Sequence, residues 1–196
     1  MVKNLAMKPF QSSFLSCEKD AEIIFRKLLV ESRPYSDDLK RLLIINTKDC
    51  LDDKTNPVYL KAINEMTLPK LFEKGCLNIK PKIVLGEFEE VKSYILITFD
   101  NFSVNKTNPQ FRDCTVSFDI VCHTDHWDLG NYQLRPLKIV GFIDGILDNS
   151  RLTGIGTFQM MGCSQLILNE ELSGYTLMYK AIHGSDDELP ESDKIV

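Results

Sequence analysis

The sequence predicts an α+β fold, a mostly antiparallel sheet with helices packed on one face and one long helix inserted between strands. Three features carry this. The first third has apolar residues at helical spacing, the middle and the end have residues that alternate as in strands, and a single strong helical stripe stands between the two strand regions. At 196 residues, with 43% apolar and 26% charged side chains, the chain has the make-up of one globular unit. We divide it into an N-terminal helical part (1–78), a sheet-plus-helix core (79–184) and an acidic tail (185–196).

The elements follow in order. Ser16 can cap a helix whose first turn carries Glu18 and Asp20, acids placed against the positive end of the dipole. Ala21, Ile24, Phe25 and Leu28 form its buried face, and Arg33-Pro34 ends it. Leu39 to Asn46 stays open between a helix and a buried strand, because Leu42-Leu43-Ile44-Ile45 is apolar throughout. A polar loop from Asp49 to Pro57 leads to a weak helical pattern from Tyr59 to Lys74, interrupted at Pro69. From Ile79 the period becomes that of a sheet, with strands expected at Ile83–Leu85 and Tyr94–Phe99. After a polar turn at Val104–Pro109, Cys114, Val116, Phe118, Ile120 and Cys122 alternate with mostly polar neighbours.

Asp125 to Tyr132 reads as a loop that delivers the chain to Pro136, a residue suited to a first helical turn. Ile139, Val140, Ile143, Ile146 and Leu147 then mark the clearest helix, ended by Asp148-Asn149 and Gly154. Strands are expected at Thr157–Met161 and Cys163–Leu168. A turn at Asn169–Gly174 and a strand at Tyr175–Ile182 complete a hairpin with the second of these.

Charge and motifs narrow the function classes. The net charge of -5 argues against a broad basic face gripping nucleic acid. Much of it sits in the tail, where Asp186, Asp187, Glu188, Glu191 and Asp193 face one Lys194, so the body is close to neutral. No apolar run suits a membrane span, and the N-terminus lacks the apolar centre of a signal peptide. The six cysteines include no Cys-x-x-Cys pair and read as buried thiols. Gly154, Gly156 and Gly162 lack the spacing of a dinucleotide loop.

The densest chemical cluster is Cys122-His123-Thr124-Asp125-His126-Trp127-Asp128. It matches no zinc-finger or helical His-Glu-x-x-His spacing, so it reads first as a polar loop at a strand end. Trp127, the one tryptophan, either anchors a partner or folds over the domain's own core. Asp144 lies among apolar residues of the long helix and reads as the polar edge of its stripe or as a buried acid, and Arg135 stands just before the helix; Arg135 can pair with Asp144 or with a neighbouring subunit. Trp127, Asp128, Arg135 and Asp144 are therefore the candidate interface residues, with no catalytic or metal-binding residue assigned and no cofactor expected.

The segments Asn108–Asp113, Thr115–Cys122, Asp125-His126-Trp127, Arg135–Ile139, Phe142–Leu147, Leu152–Gly156 and Gly174–Leu177 together resemble the tail terminator, or tail completion, proteins of long-tailed bacteriophages. The resemblance covers about Ile79 to His183 and is one of pattern and order. It implies a structural protein of the virion neck that is made in the bacterial cytoplasm. Such a protein forms a ring, usually a hexamer, on the end of the tail tube and meets a head connector or head-closure protein. DNA passes through it without specific binding, and no membrane or catalytic residue is involved. A second reading in the same class is another neck ring, a head-closure or adaptor protein. The reading from a different class is a small metal-dependent hydrolase or nuclease using Asp119, His123, Asp125 and His126.

Overall fold

The protein is described from a computed structural model, which covers residues 17–52, 55–79, 93–106, 112–152 and 156–183. Its N-terminal part is helical. α1 spans Cys17–Arg26 and runs on through a π-helical turn, Lys27–Glu31, that buries Leu28 and Leu29. After the break at Ser32–Pro34 comes α2, Tyr35–Ile44, so the apolar run left open by sequence is a helix up to Ile44. α3 (Pro57–Glu65) starts with proline in its first turn and is capped by Asn56, whose side chain accepts the Val58 N–H at 3.0 Å. Pro69 does not merely interrupt a helix: it lies in the first turn of a separate one, α4 (Leu68–Glu73). Ser16 lies outside the described residues, and Asp20, in the first turn of α1, is buried.

A five-stranded sheet follows, in the order β1-β2-β3-β7-β6. β1 (Leu77–Asn78), a strand not foreseen from sequence, pairs parallel with β2 (Ser93–Val104) at Ile95 and Leu96. All other pairings are antiparallel: β2 with β3 (Arg112–His123), β3 with β7 (Leu172–His183), and β7 with β6 (Gln159–Ile167). The expected strand at Ile83–Leu85 lies outside the described residues. Two expected strands around Gly162 are one continuous β6, with a register shift between Met160 and Gly162 that absorbs the extra residue. A two-residue pair, β4 (Arg151–Leu152) and β5 (Gly156–Thr157), forms a separate small sheet.

The core lies on one face of the large sheet. Cys114, Val116, Phe118, Ile120 and Cys122 of β3, with Leu177, Tyr179 and Ala181 of β7, alternate into it. Above them α5 (Arg135–Leu147) buries Ile139, Ile143, Ile146 and Leu147, and α2 packs against α5. Phe118 and Phe158 both meet the Tyr179 ring edge-on, at centroid distances of 5.9 and 5.7 Å. The close pairing of β3 and β7 needs a glycine at one place, because a Cβ on Gly174 would sit 1.8 Å from the Ile120 carbonyl oxygen. Among the described residues, no helix is long and apolar enough to cross a membrane.

Candidate interaction surfaces

Of the four candidate interface residues, Trp127, Asp128 and Arg135 lie at or just before the start of α5 while Asp144 lies near its C-terminal end, and the structure gives them different roles. Arg135 opens α5 and is 0% exposed. Its Nε donates to the His126 carbonyl (2.8 Å) and its Nη1 to the carbonyls of Leu42 (2.7 Å) and Ile45 (2.8 Å). Nη2 donates to the Thr47 carbonyl (2.9 Å). Leu42 and Ile45 stand at the C-terminal end of α2, where unpaired carbonyls and the helix dipole favour a cation. The guanidinium thus ties the end of α2 to the start of α5. It reaches neither Asp144 nor the surface, which corrects both pairings expected from sequence.

Asp144 accepts a hydrogen bond from the buried Tyr179 hydroxyl at 2.7 Å. Burial, followed by the Asp144 carboxylate, pushes the Tyr179 phenol well above its ordinary value. Trp127 is half-buried against the core, its Nε1 donating to the Cys122 carbonyl at 3.3 Å and its ring 6.4 Å from that of Tyr175. Of the two readings for Trp127, its placement matches folding over the domain's own core. Asp128 is exposed. Its Oδ2 lies 2.5 Å from Lys48 Nζ and its Oδ1 accepts the Gly130 N–H at 2.8 Å. Those two donors, the lysine first, hold its carboxyl below the usual carboxylate range.

Of the residues of the hydrolase reading, His123 stands beside Asp125 with its ring 5.9 Å from that of His126, while Asp119 is held elsewhere on the sheet. Asp119 takes the Thr176 hydroxyl at 2.6 Å. His123 Nδ1 lies 3.5 Å from Asp125 and its Nε2 lies 4.0 Å from Glu171. His126 Nδ1 lies 2.9 Å from the Asn46 carbonyl oxygen. Among the described residues, no group of three or more His, Cys, Asp or Glu is placed to hold a metal ion.

Two surfaces escaped the sequence reading. One is β6, the sheet's outermost strand next to β7. It is largely exposed, with Met160, Met161, Ile167 and the following Leu168 open to solvent. From Gln159 to Leu168 it carries no charged residue and no proline. The other is the outer side of α5 and the turn before it. In that turn Asn131 and Tyr132 have φ of 48° and 60°, and the Gln133 N–H closes on the Gly130 carbonyl at 2.9 Å. These signs are those of a type I′ turn. Tyr132, at its tip, is fully exposed. The spacing of Gly141 and Gly145, four apart on one helix, was the available sequence signal for the α5 surface.

No curated protein matches the chain. A family model described as YomW matches residues 36–181, from the second residue of α2 almost to the end of β7. The match therefore takes in the whole Arg135 clamp, the Trp127 loop, α5 and β6. Since it spans well over half of the sequence, the chain belongs to the YomW family, whose name is that of a phage-derived protein.

Proposed function

We propose that this chain is a structural protein of the phage neck, a tail terminator whose copies join side by side into a ring. The ring is a hexamer by the family it resembles. It caps the tail tube, offers its other face to a head connector or head-closure protein, and lets DNA pass. It works by shape, with no catalytic step and no cofactor.

The observation that carries this reading is the outer edge of β6, which pairs with no other strand among the described residues. Edge strands are ordinarily protected by charged side chains, prolines or covering segments, because their unpaired backbone groups recruit other strands. Gln159–Leu168 carries neither charge nor proline and exposes apolar side chains, with Ile167 at 69%. A neighbouring copy that lies against this edge supplies backbone partners and buries the apolar atoms. If the edge meets a different patch on the next copy, the contact is heterologous and closes into a ring when its rotation divides the circle. The near-neutral body supports free passage of DNA, since a basic lumen would retain phosphates.

The test mixes the purified chain with tail tubes and images them in negative stain. Rings at tube ends are expected for the parent, and their loss for Ile167→Lys, a change at an exposed position that leaves the core intact. A parent that stays monomeric and never binds tubes refutes the reading. Binding to the portal instead of the tube would assign it to another neck ring. Turnover that disappears on replacing His123 or His126 in a folded protein would favour the hydrolase.

A further inference from the structure

The outer side of α5 carries a groove of about 360 Å³, lined by Tyr35, Leu137, Lys138, Gly141, Phe142 and Gly145. The rings of Tyr35 and Phe142 have centroids 6.0 Å apart. A Cβ added at Gly141 or Gly145 would meet nothing within 4 Å. The chain's own packing therefore needs neither glycine, although glycine is a poor choice in a helix interior. Just before this groove stands the exposed Tyr132, with only Gln133 and Leu134 between it and α5. So short a tether keeps Tyr132 within about 18 Å of Leu137 at the near end of the hollow, on the N-terminal side of α5.

We propose that two copies of this chain pair about a twofold axis on that side, each seating its Tyr132 in the other's groove. A projection beside a hollow on a single surface is self-complementary under twofold rotation, since residue i meets j while j meets i. The area involved favours reciprocal over one-way insertion. A tyrosine brings about 150–250 Å² and the groove walls about as much again; counted twice, with the exposed parts of Leu134 and Tyr35, the total is near 1,000 Å². That is about the lower bound for a specific interface, and one-way insertion would supply only about half of it.

Charge agrees. Lys138 at the groove has no acid partner among the described residues, while Asp128 stands exposed at the base of the Tyr132 turn, held by one surface lysine. Twofold pairing brings each Lys138 toward the other copy's Asp128 side. Both halves of the contact reside in this chain, which selects a second copy over a foreign partner. No residue of β6 takes part, so the pairing and the ring stand or fall separately.

Sedimentation equilibrium of the full chain, from micromolar to submillimolar concentration, tests the pairing. The expected result is a reversible dimer that weakens with added salt. Tyr132→Ala and Gly141→Leu should each weaken it by at least about tenfold, equivalent to about 1.4 kcal/mol, while circular dichroism stays native. Tyr132 is fully exposed, so its alanine variant decides the matter alone if Gly141→Leu fails to fold. A mixture of the two variants restores one insertion of two, so partial recovery supports the twofold arrangement. Full recovery would overturn it in favour of one-way contact. A parent that is monomeric throughout overturns the pairing and leaves the groove to another occupant, and a dimer unmoved by both substitutions overturns it as well.

Discussion

Replacing Arg135 with methionine keeps an apolar stem of similar reach and removes five N–H donors. Four backbone carbonyls lose their partner: those of Leu42 and Ile45 in buried bonds, and those of His126 and Thr47 in part-buried ones. Water can reach the latter two. Leaving a buried acceptor unpaired costs about 1–3 kcal/mol, so the two interior carbonyls alone set a loss of about 2–6 kcal/mol. Against a typical total of about 5–15 kcal/mol, this is a large fraction of the stability. At about 2–4 °C per kcal/mol for a chain of this size, Tm should fall by about 5–20 °C. Arg135→Lys keeps the charge but offers three donors from one point, so it should fall in between. Calorimetry paired with urea titration reads both variants. A methionine variant melting within about 2 °C of the parent would refute the clamp.

Three other outcomes follow from the structure. Gly174→Ala drives a Cβ to within 1.8 Å of the Ile120 carbonyl oxygen, so β3 and β7 must separate and stability should drop by at least about 2 kcal/mol in urea titration. Of the described thiols, Cys163 is exposed while Cys50, Cys76, Cys114 and Cys122 are buried, and burial pushes Cys76 up to about 11 and Cys122 up to about 12. Mass spectrometry after alkylation at pH 8 should find Cys163 modified in the native protein and the other four only after unfolding; early labelling of Cys122 would contradict the fold. The Asp113 carboxyl is held below its ordinary value by the Asn105 amide at 2.6 Å and then by Lys180 at 3.4 Å. Its stabilisation is present above the unfolded-state value of about 3.9 and lost as pH falls through the lower folded value. The stability gap between parent and Asp113→Asn should therefore be constant near neutrality and close below about pH 4; a gap that widens in acid would contradict this.

The candidate site was only partly legible because its residue types were visible while their partners were not. Arg135 and Asp144 are both polar groups in an apolar setting, which invites pairing them with each other. In the fold the arginine turns to carbonyls 88–93 positions earlier in the chain, and the aspartate takes a tyrosine 35 positions later. Trp127 had two readings that differ only in what lies beneath the ring, and Tyr175 and the Cys122 carbonyl lie there. The β6 edge, unpaired among the described residues, was hidden because Gln159–Leu168 has the composition of any half-buried strand. Its exposure comes from its place outside β7, where α5, which packs on β3 and β7, gives it little cover.

Local periodicity is a property of a few consecutive residues, and where it is strong it settled the element. The stripe Ile139–Leu147 folds as a helix and the alternation Cys114–Cys122 as a strand, because any other conformation would put their apolar atoms in water. The hairpin between β6 and β7 was likewise visible in the turn residues joining them. Strand order, the parallel β1, and the helical state of Leu42–Ile44 belong to the tertiary structure. A run that is apolar on every side has no period to read, and its backbone takes the form whose hydrogen-bonding groups distant parts of the chain can complete. For the end of α2, that completion is the guanidinium of Arg135.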